Sequence, residues 1–203
     1  MSITSNIPLM IKLTAEEYDF FLSLDEDAQK ALLDQTITSD IIQASISSPA
    51  CPIISEVILV KSFLDQSLSQ DLFQYLLDHV SFQNYIKTRF GQNTRKSYRV
   101  DHGTQLYNYI FQYISEVSQQ YNLGQPLGFY LNYYSDENDY TPNHSHRGTN
   151  QLVLSLGGSR ILNIDKKNYQ LENGDCILFG DHIHGVPKQK YKCQPRISIA
   201  TFY

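Results

Sequence analysis

Beyond residue 124 the chain falls into short runs of mostly apolar and alternating residues: GFYLNYY, NQLVLSLGG, SRILNID, KNYQLENG, DCILFG and PRISIATFY, separated by Gly, Asn and Asp. A period of two bounded by turn residues predicts strands, and six of them in roughly 75 residues predict an antiparallel sandwich or jelly-roll barrel. Upstream the period lengthens. VILVKSFL (57–64) predicts a strand, and SLSQDLFQYLLDHV a helix capped near Ser67 or Ser69. In LYNYIFQYISEVSQQY (106–121), Leu106, Tyr109, Ile110, Tyr113, Ile114 and Val117 form one helical stripe facing a core. Between these helices, residues 90–105 are polar and loop-like, with a strand predicted at 97–100. Helices first and strands after predict an α+β fold, with the N-terminal helices packed on one face of that sandwich or jelly-roll core.

The first fifty residues read differently. Thr14 and Glu17 have the spacing of a capping box, with Tyr18, Phe21 and Leu24 at helical intervals after it, and Asp25 is placed to cap a second short helix. SISSPACP then breaks the pattern. The expected organisation is a helical extension over 1–50 and one domain over 51–203, with no internal repeat.

Composition narrows the class. At 203 residues the chain is long enough for one well-buried core, and 41% hydrophobic with 18% charged residues is ordinary for a globular protein. The net charge of −5 argues against a large phosphate-neutralising surface, although a local basic patch is compatible with it. Cys51, Cys176 and Cys193 are odd in number and lack C-x-x-C spacing, which predicts reduced thiols. The N-terminus has no apolar run suited to a signal peptide, and no stretch reaches a membrane span, so a soluble, cytoplasmic protein is expected.

The residues with the clearest chemistry are histidines. His144 and His146 form an H-x-H pair, and His184 follows in GDCILFGDHIHGVPK. Two positions at i and i+2 on a strand point to the same side, and a third ligand from a distant strand completes a three-point metal face with open coordination positions. Imidazole suits iron, zinc or copper. His182 shares a strand face with His184 and is the alternative third ligand. The GVP turn after His184 favours the latter. Asn132 and Tyr134 alternate against Phe129, Leu131 and Tyr133, so a polar pair lies on one side of that strand. On the last strand, Arg196 shares a face with Ser198, Ala200 and Phe202, and an arginine pointing into a barrel calls for an anion, best a carboxylate.

In this order, Asn132-x-Tyr134, His144 with His146, SLGGSR (155–160), GD (174–175), HGVP (184–187) and RIS (196–198) resemble the AlkB-type iron(II)/2-oxoglutarate-dependent dioxygenases over roughly residues 54–203. The resemblance implies a double-stranded β-helix enzyme that oxidatively demethylates alkylated nucleobases or hydroxylates other substrates, using iron(II), 2-oxoglutarate and O₂. It implies iron ligation by His144 and His184, and 2-oxoglutarate binding by Asn132, Tyr134, Arg196 and Ser198. It also implies that the segment before the core, with Arg95, Lys96, Tyr98 and Arg99, recognises nucleic acid.

Two positions depart from the family pattern. His146 stands where the family has an aspartate ligand, and Phe202 where it has a second arginine. The first change leaves the site one unit more positive; Asp136, Asp139 and Asp181 are candidates to restore a carboxylate. The second removes a cation beside the metal, which Arg160, Lys188 or Lys190 would have to replace. A three-histidine cupin-type dioxygenase and a binding protein that has lost turnover are therefore the alternatives.

Overall fold

The computed structural model describes residues 52–84 and 94–203. The helices predicted within 1–50, and part of the 90–105 segment, lie outside the described residues. In chain order the elements are β1 (Ile58–Val60), α1 (Gln66–His79), β2 (Gln83–Asn84), β3 (Lys96–Val100), α2 (Gln105–Gln120), β4 (Gly128–Tyr134), β5 (Thr141–His144), β6 (Gln151–Gly157), β7 (Arg160–Ile164), β8 (Lys167–Leu171), β9 (Cys176–Phe179), β10 (His184–Val186) and β11 (Arg196–Phe202). They build a seven-stranded sheet ordered β1-β9-β6-β11-β4-β3-β2 and a four-stranded sheet ordered β5-β10-β7-β8. Every pairing is antiparallel. This is a jelly roll.

Side-chain parity explains the layering. Along β11, Ile197 and Ile199 turn outward and join Leu72 and Leu76 of α1 and Ile110 and Ile114 of α2 in one buried cluster. The alternate positions turn inward, where Tyr134, Val153, Leu162, Ile164, Phe179 and Val186 fill the space between the sheets. The large sheet is thus covered on both faces, and β9 is buried along its whole length. Burying each such Leu or Ile contributes about 1.5–3 kcal/mol, which favours this sandwich over a half-exposed sheet.

Several boundaries differ from the sequence reading. The first strand stops at Val60, because Ser62 adopts a left-handed φ of 50° and its N–H donates to Asp175 Oδ1 at 2.9 Å. The Lys61 ammonium also binds the buried Asp175 carboxylate. The first helix is capped by Asp65, not by Ser67 or Ser69: Asp65 Oδ1 accepts from Leu68 N at 2.8 Å, while Ser69 is buried inside the helix and donates to Gln66 O. The second helix begins at a Thr104 cap, and Tyr107 and Ser118 join its buried stripe, whereas Leu106, Tyr109 and Tyr113 are only half-buried. β5 and β10 lie outside the six predicted strand runs, although the histidine pattern placed His144 and His184 on strands, and they carry the site. Among the described residues Cys176 and Cys193 are free thiols, and no helix is long and apolar enough to cross a membrane.

Candidate metal centre

β5 and β10 bring the histidines together. In their antiparallel register His184 lies directly opposite His144. The strands approach closely because Gly185 has no side chain; a Cβ there would lie 2.5 Å from Asn143 Oδ1 and 2.9 Å from Thr141 O. His146 follows two residues after His144, just past the end of β5. Ring centroids are 4.4 Å apart for His144–His184, 4.9 Å for His144–His146 and 5.6 Å for His146–His184. The three ligand atoms lie within 4.8 Å of one another, a spacing that one ion can bridge with slight adjustment.

The ring orientations are held. His144 Nδ1 donates to Pro142 O at 2.9 Å, and His184 Nδ1 donates to His182 O at 3.0 Å. A carbonyl only accepts, so each Nδ1 carries the proton and each Nε2 is the unprotonated nitrogen, as metal-ligating histidines require. Phe179 packs 4.9 Å from His184, and Phe202 meets His146 edge-on at 4.8 Å. Burial foremost, then the neighbouring imidazoles, pushes His184 down to about 3; burial, His144 and Arg95 push His146 down to about 4. Burial also lowers His144, against the Pro142 hydrogen bond, which raises it, and with help from Arg95. All three are neutral near pH 7.

The other candidate ligands lie elsewhere. His182 Nδ1 pairs with Asp165 Oδ2 at 2.6 Å, outside the trio. The Asp139 carboxylate accepts from Ser135 N and Oγ at 2.6 and 2.7 Å, Asp136 Oδ1 accepts from Asn138 N, and Asp181 is exposed. Among the described residues no carboxylate joins the cluster.

A polar row crosses the inner face of the large sheet. Ser198 of β11 is in register with Asn132 of β4 and Ser155 of β6, and Arg196 with Tyr134 and Gly157. Asn132 Nδ2 donates to Ser198 Oγ at 3.4 Å. Arg196, only 1% exposed, donates from Nε to Ser155 Oγ at 2.8 Å, and its buried Nη1 has no partner among the described residues. Burial, and to a smaller degree Arg160, lowers its pKa to about 10 against the opposing effect of Tyr134, so it remains charged at neutral pH. A buried cationic N–H with no acceptor costs several kcal/mol unless a ligand supplies one. Tyr134 lies between two guanidiniums, Arg160 at 4.9 Å and Arg196 at 5.4 Å from its ring centroid, and its hydroxyl meets Thr141 Oγ1 at 2.9 Å.

Arg160 therefore belongs to the Arg196 end. Its Nη1 donates to Asp139 O at 2.9 Å, and it stands four positions along β7 from Ile164, the partner of His184, roughly 13 Å by strand rise. Lys188 and Lys190 are exposed, with the Lys188 ammonium over the Tyr140 ring. None of the three replaces a cation beside the histidines. The charge of Arg95, a residue that the family resemblance assigns to substrate recognition, helps to lower His144 and His146. Ser155 was missed, although its place two residues from Val153 on β6 gives it the inward parity.

No family model matches the chain, and no curated protein does. Solved structures do. OsALKBH1 is 15% identical, with a TM-score of 0.57 over 74% of this chain and 99% of that one. A Pseudomonas putida prolyl-4-hydroxylase is 17% identical, with a TM-score of 0.52 over 72% of this chain and 90% of that one. The epimerase SnoN, in complex with Fe³⁺, alpha ketoglutarate and nogalamycin RO, is 13% identical, with a TM-score of 0.53 over 72% and 77%. The described domain thus shares the jelly-roll fold of these solved structures.

Proposed function

We propose that this protein is an iron(II)/2-oxoglutarate-dependent dioxygenase of the AlkB-like kind. The observation that carries the reading is the pairing of two features in one barrel: three neutral imidazoles within reach of one ion, His144 and His184 held by carbonyls, and a buried arginine on the same interior whose Nη1 has no acceptor among the described residues. His144, His146 and His184 would hold the metal. Arg196, braced by Ser155 and assisted by Ser198, would hold the far carboxylate of 2-oxoglutarate, with Asn132 and Tyr134 shaping the pocket between. The unprotonated Nε2 atoms of His144 and His184, and an Arg196 Nη1 without an acceptor among the described residues, fit these two groups. Bound iron and 2-oxoglutarate supply the oxidising power that turns O₂ into a hydroxylating agent for a C–H bond. The chain's own part is to orient the imidazoles, neutralise the co-substrate tail and exclude water with Phe179, Phe202 and Tyr134.

For the prime substrate we propose an N-alkylated nucleobase, whose hydroxylated methyl group would leave as formaldehyde. Lys96 and Tyr98 are exposed on β3, and Arg99 leans over the Tyr130 ring at 6.0 Å, a basic and aromatic edge suited to phosphate and base stacking. One observation favours the rival cupin-type reading: among the described residues no carboxylate joins the cluster. Incubating iron-loaded protein with 2-oxoglutarate and O₂ tests the proposal. Succinate release, with formaldehyde from a methylated oligonucleotide, supports it. Metal uptake without any 2-oxoglutarate requirement favours the cupin reading, and binding of both without succinate favours a protein that has lost turnover.

A further inference from the structure

Gln151 is a buried polar residue set among apolar ones. It opens β6, is only 1% exposed, and shares the parity of Val153 and Ser155, so its side chain lies on the inner face of the large sheet. Its register partners on the two flanking strands are Phe202 of β11 and Phe179 of β9. Directly opposed residues have Cβ atoms about 4.5–5.5 Å apart. These are the two phenylalanines that line the metal centre: Phe202 meets His146 at 4.8 Å and Phe179 meets His184 at 4.9 Å. The amide thus stands between the rings that pack against two of the three histidines. Its Nε2 is buried with no acceptor among the described residues. An enclosed amide with an unpaired N–H is less stable than an apolar side chain of the same size, so its presence calls for a ligand that supplies the acceptor.

We propose that Gln151 is a ligand-binding residue of the metal centre: its amide donates to the carboxylate next to the 2-oxo group of the co-substrate. This rests on the co-substrate reading above. Two strands, β11 and β4, separate Gln151 from the basic edge on β3 assigned to the prime substrate, so its partner is the ligand held at the metal. Phe202 beside it offers no donor, and Arg196 lies at the opposite end of β11. The amide and the guanidinium therefore divide the dicarboxylate, a neutral donor near the metal and a cation at the tail. A hydrogen bond to a charged oxygen is worth about ten- to a hundredfold in affinity.

The test is an anaerobic titration of iron-loaded protein with 2-oxoglutarate and with 2-oxobutyrate, which keeps the 2-oxo acid end and lacks the tail carboxylate. Gln151→Met removes the amide and keeps its length and bulk. It should weaken both ligands by about ten- to a hundredfold, whereas Arg196→Met should weaken 2-oxoglutarate alone. Iron(II) affinity without co-substrate should stay within about twofold of the wild type, and the urea midpoint of the ligand-free protein should be unchanged or higher, because an unpaired N–H has gone. Gln151→Leu should repeat this result, which separates loss of the donor from the misfit of one side chain. The inference is overturned if Gln151→Met leaves both ligands within about twofold, or if 2-oxobutyrate binding is unchanged while 2-oxoglutarate weakens. It is equally overturned if iron affinity and the urea midpoint fall along with co-substrate affinity, as a packing role requires. Wild-type protein that takes up iron and no 2-oxo acid overturns the co-substrate reading, and the inference with it, a different result from any of these.

Discussion

His144 and His184 are register partners across β5 and β10, and their rings stand 4.4 Å apart. The pair is therefore built into hydrogen-bonded backbone rather than hung from loops. A metal centre on such a base is preorganised, and its geometry depends on whatever lets the two strands approach.

Gly185 is that feature. In Gly185→Ala the new methyl would sit 2.5 Å from Asn143 Oδ1 and 2.9 Å from Thr141 O, so β5 must move away from β10. The expected result is a stability loss of about 1–3 kcal/mol in urea titration. A drop in metal affinity of about tenfold or more should accompany it, measured by calorimetry.

His184→Ala should lose metal binding at concentrations that saturate the wild type, with the far-ultraviolet circular dichroism unchanged. His146→Asp should keep it. An aspartate there adds a negative charge to a cluster of neutral imidazoles, so metal affinity is expected to equal or exceed that of the wild type. Metal analysis after gel filtration checks both.

The metal-free protein should lose stability in mild acid. Unfolded histidine titrates near 6.5, while burial holds His146 near 4 and His184 near 3 in the fold. Between these values the unfolded chain binds protons that the native rings refuse, so stability falls as pH drops from about 6.5 towards 4. The urea midpoint should be lower at pH 5 than at pH 7, and His184→Gln should reduce that difference.

Arg196→Met should leave iron binding intact and remove most 2-oxoglutarate affinity. Because the wild-type guanidinium is 1% exposed with Nη1 unpaired, its replacement by an apolar chain should not destabilise the ligand-free fold and is expected to raise its unfolding midpoint. Succinate should stabilise the wild type against heat and leave this variant unaffected.

The sheet strands were legible because their burial writes itself as alternation or as apolar runs, as in Leu152, Leu154 and Leu156 against the helices. β5 and β10 were not, since TPNH and HGV are too short and too interrupted by Pro and Gly for any period to appear. The histidines they carry were legible as chemistry even so, because H-x-H spacing needs no knowledge of the strand. Arg95 could not be placed from its neighbours. It is held by Asn132, thirty-seven residues away, and only three-dimensional pairing brings the two together. The helix cap at Asp65 was passed over for nearby serines, although an aspartate three residues before Leu68 offers the same acceptor.

The most direct test of the account is anaerobic titration of the metal-free protein with iron(II) and then 2-oxoglutarate, followed by visible absorbance. The account predicts uptake of one iron per chain, and a weak charge-transfer band that appears only after 2-oxoglutarate is added and saturates at one equivalent. Iron uptake with no band at saturating 2-oxoglutarate, or no iron uptake at all, would contradict it.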